Sequence, residues 1–218
     1  MSPSLWGLFG GAFNPPHYGH LRSALEVVEL LRLERLLFLP SGGHPFKGAD
    51  LLAPTTHRVA MTALAIAGEP RFALSTVEAD RPGVSYTVDT LTRLSREHPD
   101  RELVLLLGTD LLEELHLWKD WRTMIDRTHL CLLTRPGFPE NLSRTPAGRF
   151  LASHRVDGPA GLHRAVLGHH GFLIQPVTML EISSTDLRHR VAAGRSLRYL
   201  TPEPVAEYIQ RHGLYATH

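Results

Sequence analysis

Two histidines three residues apart follow a glycine pair in the run Gly10-Gly11-Ala12-Phe13-Asn14-Pro15-Pro16-His17-Tyr18-Gly19-His20. An apolar run, Leu5–Phe9, precedes it, and a helix-like segment, Leu21–Leu31, comes after. A strand therefore feeds a glycine-rich turn, and the turn feeds a helix N-terminus. Such a turn offers backbone N–H groups to an anion, and the helix dipole adds to the attraction. Gly10 and Gly11 let the backbone come close to a ligand. His17 and His20 add charge that can follow pH, and their spacing at a helix start lets both face one pocket. The same spacing fits a metal pair, although no acidic third ligand stands nearby in the sequence. The turn by itself describes a protein that handles phosphates.

A second constellation is Glu181-Ile182-Ser183-Ser184-Thr185-Asp186-Leu187-Arg188. Its hydroxyls and backbone N–H groups could hold phosphate oxygens, with Arg188 adding a planar charged fork. It also reads as a capping box, with Ser183 as N-cap and Asp186 three residues on. Ser85-Tyr86-Thr87 reads as a helix cap by Ser or Thr. Asp110, in Gly108-Thr109-Asp110, could accept a ribose hydroxyl or cap the next helix. Trp118 and Trp121 in Trp118-Lys119-Asp120-Trp121 would share a helical face. Their charged neighbours suit a partly exposed stacking platform, where a flat ring gains on the order of ~1 kcal/mol. His44-Pro45-Phe46-Lys47 is a loop, Thr134-Arg135-Pro136-Gly137 ends a strand, and His57-Arg58 reads as helix-surface charge.

Strand-like apolar runs recur at Leu5–Phe9, Arg35–Leu39, Arg71–Ser75, Leu103–Leu107, His129–Leu133 and Phe172–Pro176. Helix-like segments alternate with them at Leu21–Leu31, Thr55–Ala67, Thr87–His98, Asp110–Leu115 and Leu187–Ala193. This alternation predicts a parallel sheet covered by helices on both faces, with ligands at the carboxyl ends of the strands. Pro136–Gly171 reads as a variable connection with one short helix. Thr201-Pro202-Glu203-Pro204 opens a terminal helix over Val205–Ile209. The 218 residues are 43% hydrophobic and 21% charged, with a net charge of +1, so nothing global points to nucleic acid or an anionic membrane. The single cysteine, Cys131, sits in an apolar run, which predicts a buried structural thiol and fits a reducing, cytoplasmic location. No apolar stretch approaches the ~18 residues of a membrane span, and no secretory signal opens the chain.

The first run, Gly10-Gly11-Ala12-Phe13-Asn14-Pro15-x-His17-x-Gly19-His20, resembles the signature of the HxGH nucleotidyltransferase superfamily. Ala12 and Asn14 stand where that signature has Thr or Ser and Asp. Ile182-Ser183-Ser184-Thr185 with Arg188 is similar to the superfamily motif that closes on the ATP triphosphate. Ser85-Tyr86-Thr87, Gly108-Thr109-Asp110, Trp118-x-x-Trp121 and Arg135-Pro136-Gly137 match markers of the nicotinate-mononucleotide adenylyltransferase family. The resemblance runs from Leu5 to Gly213-Leu214-Tyr215, with Pro136–Gly171 unmatched. It implies a Rossmann-like, doubly wound parallel α/β sheet. Residues 1–218 would form one domain, with a small C-terminal helical subdomain from about 184 to 218.

The resemblance also implies adenylyl transfer from ATP to nicotinate mononucleotide, with His17, His20 and Arg188 as catalytic residues. ATP would meet Gly10, Gly11, Ala12, Phe13, His17, His20, Ser183, Ser184, Thr185 and Arg188. The mononucleotide would meet Lys47, Tyr86, Thr87, Asp110, Trp118 and Arg135. Mg²⁺ would come with ATP, bound mainly through phosphates and water, with no protein metal site. Another phosphorylated acceptor is the alternative within the superfamily, and a non-catalytic nucleotide-binding regulator the alternative outside it. The sequence leaves the oligomeric state open.

Overall fold

The computed structural model describes residues 4–42, 52–134, 142–164 and 170–216. Six strands among them, β1 (Ser4–Gly11), β2 (Arg35–Pro40), β3 (Phe72–Leu74), β4 (Arg101–Gly108), β5 (His129–Thr134) and β6 (Phe172–Pro176), form one parallel sheet flanked by helices. Its order is β3-β2-β1-β4-β5-β6. The order reverses at β1, the strand that leads into the glycine turn. β1 pairs β4 from Ser4 opposite Arg101 to Phe9 opposite Leu106. β4 pairs β5 from Val104 opposite His129, and β5 pairs β6 from Leu130 opposite Phe172. β4 from Glu102 to Leu107 and the whole of β5 are buried, as strands covered on both faces require. Cys131 lies in that core, where burial pushes its thiol up to about 12 and keeps it inert.

The helices bury single stripes. In α1 (Tyr18–Leu30), Ala24, Val27 and Val28 are fully buried, with Leu31 just beyond the helix continuing the stripe. In α2 (Thr55–Ile66) the buried stripe is Arg58, Met61, Thr62 and Ile66. α3 (Thr87–Glu97) and α4 (Thr109–Glu114) follow β3 and β4. The short α5 (Trp121–Ile125) precedes β5.

Between β5 and β6 the described residues hold a 3-10 turn (Leu142–Arg144) and two short α-helices, α6 (Pro146–Ala152) and α7 (Pro159–Arg164), where the sequence predicted one helix. Thr145 caps the first, its hydroxyl accepting from the Gly148 N–H at 2.9 Å. α8 (Ser184–Ala192) and α9 (Glu203–Arg211) close the chain.

Two helices start earlier than their apolar periodicity: α1 at Tyr18 rather than Leu21, and α8 at Ser184 rather than Leu187. First turns are made of capping and polar residues, so hydrophobic spacing detects a helix only after it has begun.

The chain divides into two compact units. One comprises the residues up to Phe9, Glu26–Leu36 and Tyr86–Thr178, with its core on β4 and β5. The other comprises Gly10–Leu25, Leu37–Ser85 and the residues from Met179 onward. Met61, Leu187, Leu197, Val205 and Ile209 form a core cluster in this second unit.

Candidate active site

The turn between β1 and α1 is organised by its carbonyls. The Gly11 carbonyl accepts from the Ser41 N–H at 2.9 Å. The Ala12 carbonyl accepts from Arg58 Nη1 at 2.9 Å, and the Asn14 carbonyl from Arg188 Nη1 at 2.9 Å. The Pro15 carbonyl accepts from the Ser184 hydroxyl and the Pro16 carbonyl from the Thr201 hydroxyl, each at 2.8 Å. A peptide is planar, so a carbonyl held on one side sends the next N–H to the other. The negative ends of the turn are thus engaged by protein donors.

Asn14 is 1% exposed, and its Oδ1 accepts from the Ala53 N–H at 3.0 Å and the Tyr215 hydroxyl at 2.8 Å. Burial raises the Tyr215 pKa, which keeps the hydroxyl a donor. Phe13 adopts a left-handed φ of 46° and is buried, its ring edge-on to His20 at 5.2 Å and tilted against Phe38 at 5.6 Å. That packing compensates a backbone region costly for a bulky residue. A Cβ on Gly11 would meet the Phe13 ring at 3.1 Å, whereas one on Gly10 would meet nothing within 4 Å.

His17 and His20 stack with ring centroids 3.7 Å apart. His20 Nδ1 faces the His17 backbone N–H at 3.3 Å and accepts from it, which places the ring proton of a neutral His20 on Nε2. This is the reciprocal arm of a capping box made with an imidazole. His17 Nδ1 is buried with no partner among the described residues. A Cβ on Gly19 would lie 2.9 Å from that same nitrogen, so the glycine makes room for the ring. Burial lowers His17 to about 4. Burial, and then the neighbouring His17, lower His20 to about 3. Both rings are therefore neutral near pH 7, which corrects the expectation of a charge that follows pH there. Among the described residues no group of three or more His, Cys, Asp or Glu is placed to hold a metal.

Ser183 caps α8, its Oγ accepting from the Asp186 N–H at 3.1 Å. Arg188 forks from the Asn14 carbonyl to Thr185 Oγ1 at 3.2 Å. All residues expected to meet ATP thus fall within the second unit, and Arg188 and Ser184 join the helix start to the turn directly.

Tyr86, Thr87, Asp110 and Trp118, expected to meet the mononucleotide, fall within the first unit. Lys47 and Arg135 lie outside the described residues. α3 begins at Thr87 with no side-chain cap, and the Ser85 hydroxyl donates instead to the Glu78 carbonyl at 3.2 Å. α4 has no side-chain cap either, so Asp110 is not spent on one. A Cβ on Gly108 would lie 2.5 Å from Asp110 Oδ1.

The two tryptophans do not share a helical face. Trp118 is extended (ψ 146°) after a 3-10 turn over Leu115–Leu117, and Asp120 is left-handed (φ 48°). Trp121 opens α5 and packs edge-on to Phe150 at 5.5 Å as core, while Trp118 stays half-exposed. Beside it Lys119 Nζ lies 4.7 Å over the Tyr86 ring and 3.4 Å from the Asp89 carboxylate.

Sequence reasoning missed Arg58, which is 1% exposed rather than surface charge. Its position three and four residues before Met61 and Thr62, on the buried stripe, was the available signal. Nothing local marks Thr201 as a partner of the turn.

Gly19→Ala should push the His17 ring out of place and lower kcat about 10²-fold with ATP, while Gly10→Ala leaves the fold intact; an active Gly19→Ala enzyme would refute the packing argument. In the free protein, the ring resonances of His17 and His20 should not titrate between pH 5 and 8. Midpoints near 6.5 for either ring would contradict the burial effect.

A cytidylyltransferase-like family model matches residues 8–190 of the chain. A probable nicotinate-nucleotide adenylyltransferase of Thermomicrobium roseum is 44% identical over 97% of this chain and 91% of its own length. Its counterpart in Syntrophotalea carbinolica is 42% identical over 96% of both chains. A solved structure of Plasmodium falciparum nicotinic acid mononucleotide adenylyltransferase, complexed with NaAD, superposes with a TM-score of 0.73 over 97% of both chains at 17% identity, which speaks for a common fold. The chain belongs to the cytidylyltransferase-like family and, within it, to the nicotinate-nucleotide adenylyltransferases.

Proposed function

We propose that this protein transfers the adenylyl group of ATP to nicotinate mononucleotide, giving nicotinate adenine dinucleotide and pyrophosphate in NAD biosynthesis. One observation carries the reading. Within a single unit, a turn with its carbonyls held by protein donors is joined through Ser184 and Arg188 to a second helix start. That is an arrangement for a chain of phosphates. Names carried by full-length relatives supply the acceptor.

The acceptor's phosphate is its own nucleophile. With a second pKa near 6 it is largely dianionic at neutral pH and needs no protein base. One of its oxygens bonds to the α-phosphorus of ATP while the bond to the bridging oxygen breaks, and that electron pair leaves with pyrophosphate. The task left to the protein is to position two polyanions and stabilise the charge that develops.

His20 Nε2–H is a preset donor, and His17 has a buried nitrogen awaiting a partner. The approach of ATP's negative charge favours the imidazolium form of both rings. The charge each ring lacks in the free protein would then arrive with the substrate. Arg188 carries donors beyond the two it uses, and Thr185 and the turn N–H groups complete the ATP contacts.

Tyr86, Thr87, Asp110 and Trp118, with Lys47 and Arg135, are assigned to the mononucleotide, Trp118 by stacking. Mg²⁺ would enter on the ATP phosphates and water, neutralising phosphate charge; the donors lining the turn are N–H groups and imidazoles, which suits a metal that brings its own oxygen ligands. No helix among the described residues is long and apolar enough to cross a membrane. The cytoplasm is the proposed location, and one domain of 1–218 with its helical C-terminal part the proposed organisation.

Pyrophosphate release from Mg-ATP should appear with nicotinate mononucleotide and be weaker with nicotinamide mononucleotide; no release with any acceptor would leave only a nucleotide binder. His20→Ala should lower kcat about 10²–10³-fold with a smaller change in KM for ATP, and near-normal turnover would remove its role. Trp118→Ala should raise the acceptor KM while leaving the ATP KM unchanged. An unaltered acceptor KM would sink the stacking assignment.

A further inference from the structure

We propose that Arg58 is a positioning residue for ATP: through the Ala12 carbonyl it sets the direction of the phosphate-binding turn and locks it to the chain that follows β2. The proposal rests on the ATP assignment above and deepens it. Arg58 sits one turn into α2, and its side chain is almost wholly buried. A buried guanidinium must find acceptors for its donors or destabilise the fold.

Here the acceptors come from separate stretches of chain. Nη1 donates to the Ala12 carbonyl at 2.9 Å. Nη2 donates to the Ser41 carbonyl at 2.7 Å, the Gly42 carbonyl at 3.3 Å and Thr55 Oγ1 at 2.9 Å. Nε donates to the Ala53 carbonyl at 3.0 Å. The turn after β1, the end of β2 and the entry to α2 are therefore referred to one rigid planar group. Only a guanidinium offers donors in a fixed fork of that breadth.

The consequence for nucleotide binding follows from peptide planarity. With the Ala12 carbonyl drawn inward to Arg58, the Phe13 N–H of the same peptide is aimed to the opposite side. One peptide earlier, the Gly11 carbonyl is held by Ser41, whose own carbonyl is held by Arg58. The guanidinium thus holds two successive peptides of the turn, one directly and one through Ser41. It also places Ala53, whose N–H donates to Asn14 Oδ1, so a third point of the turn depends on it. Arg58 touches no ligand; it decides where the turn's N–H donors point.

The test is Arg58→Lys in the full-length protein. Lys retains the charge and the apolar stem, but a single ammonium cannot span the same carbonyls. Melting temperature and circular dichroism define conditions in which the variant is folded, and Mg-ATP affinity is then measured by calorimetry without acceptor. The expected result is an ATP Kd weakened about 10- to 100-fold, and a matching fall in kcat/KM for ATP, in protein that remains folded.

A folded Arg58→Lys variant with wild-type ATP affinity would overturn the proposal and leave Arg58 a stability residue. Should Arg58→Lys fail to fold, Thr55→Val removes one partner of the guanidinium and keeps the arginine. It should weaken ATP severalfold with little change in melting temperature, and an unchanged Kd there overturns the proposal instead. Wild-type protein that binds ATP without transferring it to nicotinate mononucleotide would sink the activity reading alone. Wild-type protein that binds no ATP would sink both.

Discussion

The capture of the turn's carbonyls by protein donors is the constraint on which the rest depends. A glycine turn can point its peptides many ways, and a carbonyl turned toward a phosphate repels it. Arg58, Arg188, Ser184, Thr201 and the Ser41 N–H remove that freedom by engaging the carbonyls of Ala12, Asn14, Pro15, Pro16 and Gly11. Hydrogen bonds from charged donors to carbonyls are stronger than those between neutral groups, and two of the five come from guanidinium groups. Preorganisation of this kind lets a phosphate meet donors that are already oriented when it arrives.

The same constraint gives Ser184 and Arg188 a double place. Motif reasoning treats them as triphosphate ligands beside a helix cap made by Ser183 and Asp186. The structure has Ser183 doing the capping, while Ser184 and Arg188 reach the turn. Two hydrogen bonds thereby tie the start of α8 to the turn.

The histidines show how burial changes what a motif does. Burial leaves the stacked pair neutral at neutral pH in the free protein. A permanently charged pair would favour any anion equally. A pair that gained its protons only beside a polyanion would tie its charge to the presence of the substrate.

The local motifs were legible in the sequence because each acts through contiguous backbone: the strand, the glycine turn, the helix start and the Ser183 cap need only neighbours. So were the buried strands β4 and β5, whose unbroken apolar runs admit no other place. What tertiary structure alone decided are the pairings over long separations: 46 residues from Arg58 to Ala12, 174 from Arg188 to Asn14 and 201 from Tyr215 to Asn14. It also decided burial, which made Arg58 a core residue, kept His17 and His20 neutral, and separated a half-exposed Trp118 from a core Trp121. A side chain's type records which bonds it can make. Desolvation and the identity of the partner depend on what the folded chain brings around it, and residue spacing carries no record of that.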